Sequence, residues 1–138
     1  MTAQTLIEQA MEAMDRAYSP YSGYKVGAAL LCADGTVYQG SNIENASYGA
    51  TNCAERTAFF RAVQDGHREF TAIAICGGKG GKLSGLFPPC GICRQVMAEF
   101  CKGDFAVYLA GPGGTYETYT LAQLLPMGFS AEEHMGEK

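Results

Sequence analysis

Apolar residues near the start of the chain recur at helical spacing. Leu6, Ile7, Ala10, Met11, Met14 and Ala17 share one face, which predicts an amphipathic helix over about residues 3–18. Ser19-Pro20 would stop it, because the residue before a proline is pushed out of the helical region. The pattern then shortens to that of strands. Lys25–Leu31 and Thr36–Ser41 read as two short strands joined by a tight turn at Asp34-Gly35. A second helical stretch, 53–65, has Ala54, Ala58, Phe59, Ala62 and Val63 apolar, with Asn52 or Thr51 as its expected cap and Gly66 as its stop. Phe70–Cys76 alternates and then runs apolar, as a buried strand does. Five glycines and two prolines between Gly77 and Pro89 predict a loop. A third helix over about 91–101, a strand Phe105–Ala110, a turn at Gly111–Gly114, a strand over 115–119 and a short helix from Thr120 complete the pattern.

The order α-β-β-α-β-α-β-β, with a helical tail, is that of an α/β chain. Strand–helix–strand alternation in the second half implies parallel strands with right-handed crossovers, and the opening hairpin implies an antiparallel edge. The expected fold is a three-layer α/β/α sandwich around a mixed five-stranded sheet, forming one domain over residues 1–138. No repeat, low-complexity stretch or linker divides it. Gly77–Lys82 lacks the G-x-x-x-x-G-K-[ST] spacing of a phosphate loop and reads as a surface loop.

Composition narrows the function. With 138 residues, 47% hydrophobic and 17% charged, the chain can build a core and is not a disordered polymer. A net charge of −4, with ten scattered Lys and Arg, supplies no basic face for nucleic acid. No run approaches the ~18 apolar residues of a membrane span. No basic segment followed by an apolar run opens the chain, so a cytoplasmic location is expected. Six cysteines in such a chain read as thiols and metal ligands rather than a disulfide framework.

Cys53-Ala54-Glu55 and Pro89-Cys90-Gly91-Ile92-Cys93 carry the chemistry. Three thiolates at this spacing suit zinc and leave its fourth position open, as in a catalytic rather than a structural site. Water held there would lose a proton near neutral pH, and Glu55 is placed to manage that proton. Cys53 and Cys90 each fall at the first turn of a predicted helix, whose N-terminal partial charge favours thiolate. Cys90 and Cys93, three apart, share one side of a helical turn. Glu55, two residues from Cys53, points across the helix axis, away from ligation and toward the open position. An all-thiolate site is electron-rich, so donors to sulfur are expected, and Arg56, Arg94 and Gln95 are the candidates. The simpler alternatives are a first-turn glutamate on a helix dipole, surface arginines, and a structural or redox C-x-x-C pair. No second C-x-x-C accompanies this one. His67 and His134 read as solvated, and Cys32, Cys76 and Cys101 as core thiols.

The Cys53-x-Glu55 and Pro89-Cys90-x-x-Cys93 pattern resembles that of zinc deaminases in its three-cysteine form. Over about residues 5–133 the chain further resembles the small homotetrameric cytidine deaminases of nucleoside salvage. The matching segments are Tyr21–Leu30, Asn42–Gly49, Cys53–Ala58, Pro89–Val96 and Leu124–Ser130. The resemblance implies one zinc per subunit and hydrolytic deamination of cytidine and 2′-deoxycytidine to the uridines and ammonia.

It also implies roles for particular residues. Asn42 and Glu44 would hydrogen-bond the ribose 3′-hydroxyl, and a carboxylate there would repel phosphate, favouring nucleosides over nucleotides. Glu55 would contact the base N3 and shuttle its proton, and the Ala54 backbone would help hold the pyrimidine. Phe129 would reach into a neighbouring subunit's site, and Tyr48 would lie at a subunit interface. Tyr24 stands where the family usually has a phenylalanine packed on the nucleoside. The 77–87 segment is longer than usual. The rival readings are a deaminase of another aminopyrimidine, such as a nucleoside antibiotic, an RNA-editing deaminase, and a non-catalytic zinc module.

Overall fold

The computed structural model describes residues 1–136; Glu137 and Lys138 lie outside the described residues. Helix α1 (Ala3–Met14) begins where the Thr2 hydroxyl accepts the Thr5 N–H, and it buries Leu6, Ile7, Ala10, Ala13 and Met14 on one face. It ends four residues before the expected 18. The Tyr18 N–H is taken by the Asn42 carbonyl at 3.0 Å, and Tyr18 bridges to Ile43, so tertiary pairing draws the chain out of the helix before Pro20 can.

Strands β1 (Tyr24–Cys32) and β2 (Val37–Ser41) form the expected hairpin, with Gly35 at φ +93° and Asp34 Oδ1 accepting the Thr36 N–H. Next come α2 (Ala54–Gln64), β3 (Phe70–Lys79), α3 (Gly91–Phe100), β4 (Ala106–Ala110), β5 (Tyr116–Thr120) and the short helices α4 (Leu121–Leu124) and α5 (Ala131–His134). The five strands lie in the order β2-β1-β3-β4-β5; β3 and β4 are parallel and every other pair antiparallel. The sheet is mixed, as the sequence predicts.

Side-chain alternation in the central strand separates two cores. Ile73 and Ile75 face Ala58, Phe59, Ala62 and Met97 on the side of α2 and α3, whereas Ala72, Ala74 and Cys76 face Leu6, Ala10 and Met14 of α1. The α1 side is lined by small residues, so that helix sits close. Gly27 lies against Ala10 and Met14 of α1, and Gly40 against Ala54 and Ala58 of α2, each too near to admit a Cβ.

β3 runs three residues past the expected 76. Gly77, Gly78 and Lys79 pair with Val26, Lys25 and Tyr24 of the long β1. Their glycines, read in sequence as loop, are there because the following segment folds back: Phe87 packs on Gly77 and the Lys82 carbonyl on Gly78. The loop itself starts at Gly80 and Gly81, both at positive φ.

Candidate active site

Cys53 and Cys90 are the N-cap residues of α2 and α3, one position before the helices proper. Neither Asn52 nor Thr51 caps α2. Asn52 instead bridges to Ile43 through its backbone, and its amide donates to the Thr57 hydroxyl at 3.2 Å. Both helices pack on the same face of the sheet, so the two caps meet. The sulfurs of Cys53 and Cys90 are 3.8 Å apart and those of Cys90 and Cys93 3.5 Å, with all three mutually within 4.8 Å.

Zinc–sulfur bonds of about 2.3 Å in tetrahedral geometry require sulfurs about 3.8 Å apart, so the cluster has the span of one zinc ion. Its charge state agrees. Hydrogen bonding with Cys93, against the cost of burial and with help from Arg56, draws the Cys53 thiol down to about 5. The same contact with Cys53, followed by burial, raises Cys93. A dication between these sulfurs would favour the thiolate form of each. Arg56 donates from Nη2 to the Cys53 sulfur at 3.3 Å, while its buried Nε has no partner, so the guanidinium is aimed at sulfur rather than at an acidic side chain. The donors fit zinc.

Glu55 is buried, with 4% of its surface exposed, in the first turn of α2. Burial is the main force that pushes its carboxyl up to about 7; the Cys53 thiolate adds to it. Glu55, Cys53, Ala54, Cys90 and Asn42 share a cavity of about 240 Å³, closed by Val26, Thr51, Asn52, Phe87 and Pro88. Sequence reasoning missed Phe87 and Pro88, although an aromatic immediately before Pro88-Pro89-Cys90 was the available signal.

The other predicted residues divide. The Asn42 carbonyl oxygen accepts the Val26 N–H and its amide donates to the Tyr24 carbonyl, so Asn42 is clamped to β1 at the cavity wall. Glu44 lies in an adjoining recess of about 390 Å³ with Tyr21, Ser22, Tyr48 and Thr51, and Thr51 borders both spaces. Its carboxylate accepts the N–H groups of Tyr21 and Ser22 and the Ser22 hydroxyl, and these bonds lower its pKa. Three of its roughly four acceptor sites are thereby filled, leaving one. Tyr24 does not line the cavity. Its ring packs on Phe87 at 5.9 Å, with the Lys79 ammonium 5.7 Å from its centroid.

Gln95 has a partner other than sulfur. Its amide donates to the Phe129 carbonyl at 2.8 Å and ties down the tail. Arg94 likewise donates to the carbonyls of Pro89 and Leu124, bracing the loop that leads into α3. Phe129 is 55% exposed, stacks on His134 and does not line its own chain's cavity. His67, expected to be solvated, packs edge-on against Tyr38 and faces Asp34. Cys32 and Cys76 are buried as expected, and Cys101 is half-buried.

The chain is similar to known proteins. The family described as the cytidine and deoxycytidylate deaminase zinc-binding region matches residues 1–109. A cytidine deaminase of Sporosarcina psychrophila is 53% identical over 133 residues, covering 96% of this chain and 95% of its own. That of Halalkalibacterium halodurans is 51% identical, covering 96% and 98%. The crystal structure of cytidine deaminase from Burkholderia pseudomallei superposes with a TM-score of 0.87 at 49% identity, over 94% of this chain and all of the other.

Proposed function

The chain belongs to the cytidine and deoxycytidylate deaminase family, and we propose that it works as follows. It is a zinc-dependent hydrolase that deaminates cytidine and 2′-deoxycytidine to the corresponding uridines, releasing ammonia in pyrimidine salvage. The observation that carries this reading is a cluster of three sulfurs at zinc spacing, two of which line one cavity with a buried carboxyl.

Cys53, Cys90 and Cys93 would hold the zinc. When bound, it supplies Lewis-acid activation of water, which provides a nucleophile near neutral pH. Arg56 spreads positive charge onto the Cys53 sulfur and so keeps an all-thiolate ligand set from becoming too electron-rich. Glu55, fixed by the first turn of α2, accepts one proton of the attacking water and delivers it to N3 of the pyrimidine, then takes the second proton from the new hydroxyl on the ring carbon and passes it to the departing amine. Burial suits it to that exchange, because its protonated form is not forbidden near neutral pH. The Ala54 backbone borders the base.

The adjoining recess takes the sugar. The one free acceptor site of Glu44 receives the ribose 3′-hydroxyl, and the remaining amide N–H of Asn42 donates to the same hydroxyl. An ionised Glu44 excludes a phosphate, so the substrate is a nucleoside and not a nucleotide or RNA. Phe87 forms an aromatic wall of the cavity, and Tyr24 packs behind it. The chain acts as one catalytic domain in a cytoplasmic homotetramer. In that assembly Phe129 closes a neighbour's site, and Tyr48, 77% exposed, lies at an interface. Among the described residues no helix is long and apolar enough to cross a membrane.

The test is Glu55→Gln. It removes the movable proton and keeps the shape, so zinc content stays near the wild-type value. Turnover, followed by loss of cytidine ultraviolet absorbance, falls by about 10²–10⁴-fold. Near-normal turnover in that variant would overturn the mechanism, and failure of zinc-loaded wild type to convert cytidine would overturn the function.

A further inference from the structure

We propose that Cys32, Asp34 and His67 form a second metal site, independent of the catalytic one, that takes a zinc-type divalent ion. The Cys32 sulfur, an Asp34 carboxylate oxygen and a His67 ring nitrogen lie mutually within 4.8 Å. They stand at the opposite end of α2 from Cys53, about 16 Å of helix away. The site uses no residue of the catalytic cavity.

One distance suits an ion. Asp34 Oδ2 and His67 Nδ1 are 3.7 Å apart, an ion-pair contact too long for a hydrogen bond. Two ligands of one tetrahedral ion, at bond lengths of about 2.0–2.2 Å, lie roughly 3.3–3.6 Å apart, so an ion between them needs only a small adjustment. The donors are also held before any ion arrives. Cys32 N–H to the Thr36 carbonyl and Gly35 N–H to the Cys32 carbonyl close the hairpin turn. Ala33 N–H to the Glu69 carbonyl then ties that turn to the α2–β3 connection carrying His67. Asp34 Oδ1 is occupied by the Thr36 N–H, which leaves Oδ2 toward His67. The imidazole is set by its edge-on contact with Tyr38, 5.3 Å between ring centres.

The donor set selects the ion. A thiolate, an imidazole and a carboxylate suit zinc, cobalt or nickel, whereas magnesium and calcium require oxygen ligands. Cys32 is 1% exposed, but the His67 and Asp34 side chains are 23% and 60% exposed, so the ion would rest on a buried sulfur with a face open to solvent. Asp34 and His67 open into a recess of about 310 Å³. Binding displaces the Cys32 proton to solvent, and the thiolate with the Asp34 carboxylate then balances the dication. Glu69 and Arg68 also line that recess, and three neighbouring charges have partners. Asp65 accepts from the Tyr38 hydroxyl, Arg68 donates to the carbonyls of Val63 and His67, and Arg61 lies over the Tyr38 ring. The ion would staple the β1–β2 turn to the end of α2.

The test is a cobalt(II) titration of chelator-stripped protein by equilibrium dialysis, with visible absorption and cytidine turnover measured in parallel. Two tightly held ions per chain are expected in the wild type. One is expected in His67→Ala and one in Asp34→Asn, both with turnover within twofold of wild type. Asp34→Asn retains the acceptor for Thr36 N–H, so its loss of the ion reports ligation rather than a broken turn. Only one tightly held ion in the wild type, or two persisting in either variant, overturns the proposal. Because turnover reads the catalytic centre and the second equivalent reads this one, failure of either assignment leaves the other measurable.

Discussion

Gly40→Ala should damage the catalytic centre from behind α2, at a position that does not line the cavity. An added Cβ would stand 2.5 Å from the Ala58 nitrogen and 3.0 Å from its Cα, and would also strike the Ala54 carbonyl. Ordinary contact needs about 3.5 Å, so α2 must move off β2 by roughly 1 Å. Backbone of this kind cannot rotate aside as a flexible side chain can. Overpacking of that size costs about 1–3 kcal/mol, or roughly 3–15 °C in Tm for a chain of this length. The same movement carries Cys53 and Glu55 away from Cys90, whose sulfur lies 3.8 Å from that of Cys53. A misplacement near 1 Å costs on the order of 100-fold in rate. Gly27→Ala is the control. Its Cβ would strike the Ala10 carbonyl and meet Met14 N at 2.5 Å and Met14 Cα at 3.0 Å, a clash at least as severe on the opposite face of the sheet, against α1. Thermal melts and ultraviolet deamination assays on both zinc-loaded variants, well below their Tm values, separate the effects. A loss of Tm at least as large is expected for Gly27→Ala, with a large fall in kcat and weaker zinc retention for Gly40→Ala alone. Equal kcat in the two variants would refute the view that the seat of α2 on β2 sets the metal geometry.

Two more expectations follow from single contacts. Arg56→Gln removes the guanidinium from the Cys53 sulfur and should cost about 10–100-fold in zinc affinity or kcat; chelator competition with single-turnover assays would show it, and unchanged values would remove Arg56 from the site. Glu44 has a folded pKa below its ordinary 4.5, first through the Ser22 hydroxyl, so its bonds stabilise the fold fully above that pH and progressively less as pH falls through the lower folded value. The Tm difference between wild type and Glu44→Gln should therefore be largest near neutral pH and shrink in melts below pH 4.5. A difference that grows on acidification would contradict the assignment.

Much of this protein was legible without coordinates, because its strongest signals are local. Helical and strand periodicities are set by which side chains share a face, so the order of elements and the mixed sheet could be read from apolar spacing. The Cys53-x-Glu55 and Cys90-x-x-Cys93 spacings place their own residues within one turn of a helix, and thereby the zinc chemistry. What tertiary structure decided lies between segments distant in sequence. α1 stops at Met14 because Asn42 and Ile43 capture Tyr18. β3 reaches Lys79 because β1 offers it backbone partners, which a glycine pair cannot announce. Gln95 and Arg94 look alike in sequence to Arg56, yet only packing sends Arg56 to sulfur and the other two to tail and loop carbonyls. Cys32 and His67 show the same division most plainly. Apart they read as a core thiol and a solvated ring; the hydrogen bond that ties residue 33 to residue 69 makes them neighbours. Periodicity specifies which face a residue occupies, but only the closing of the sheet specifies what stands across from it.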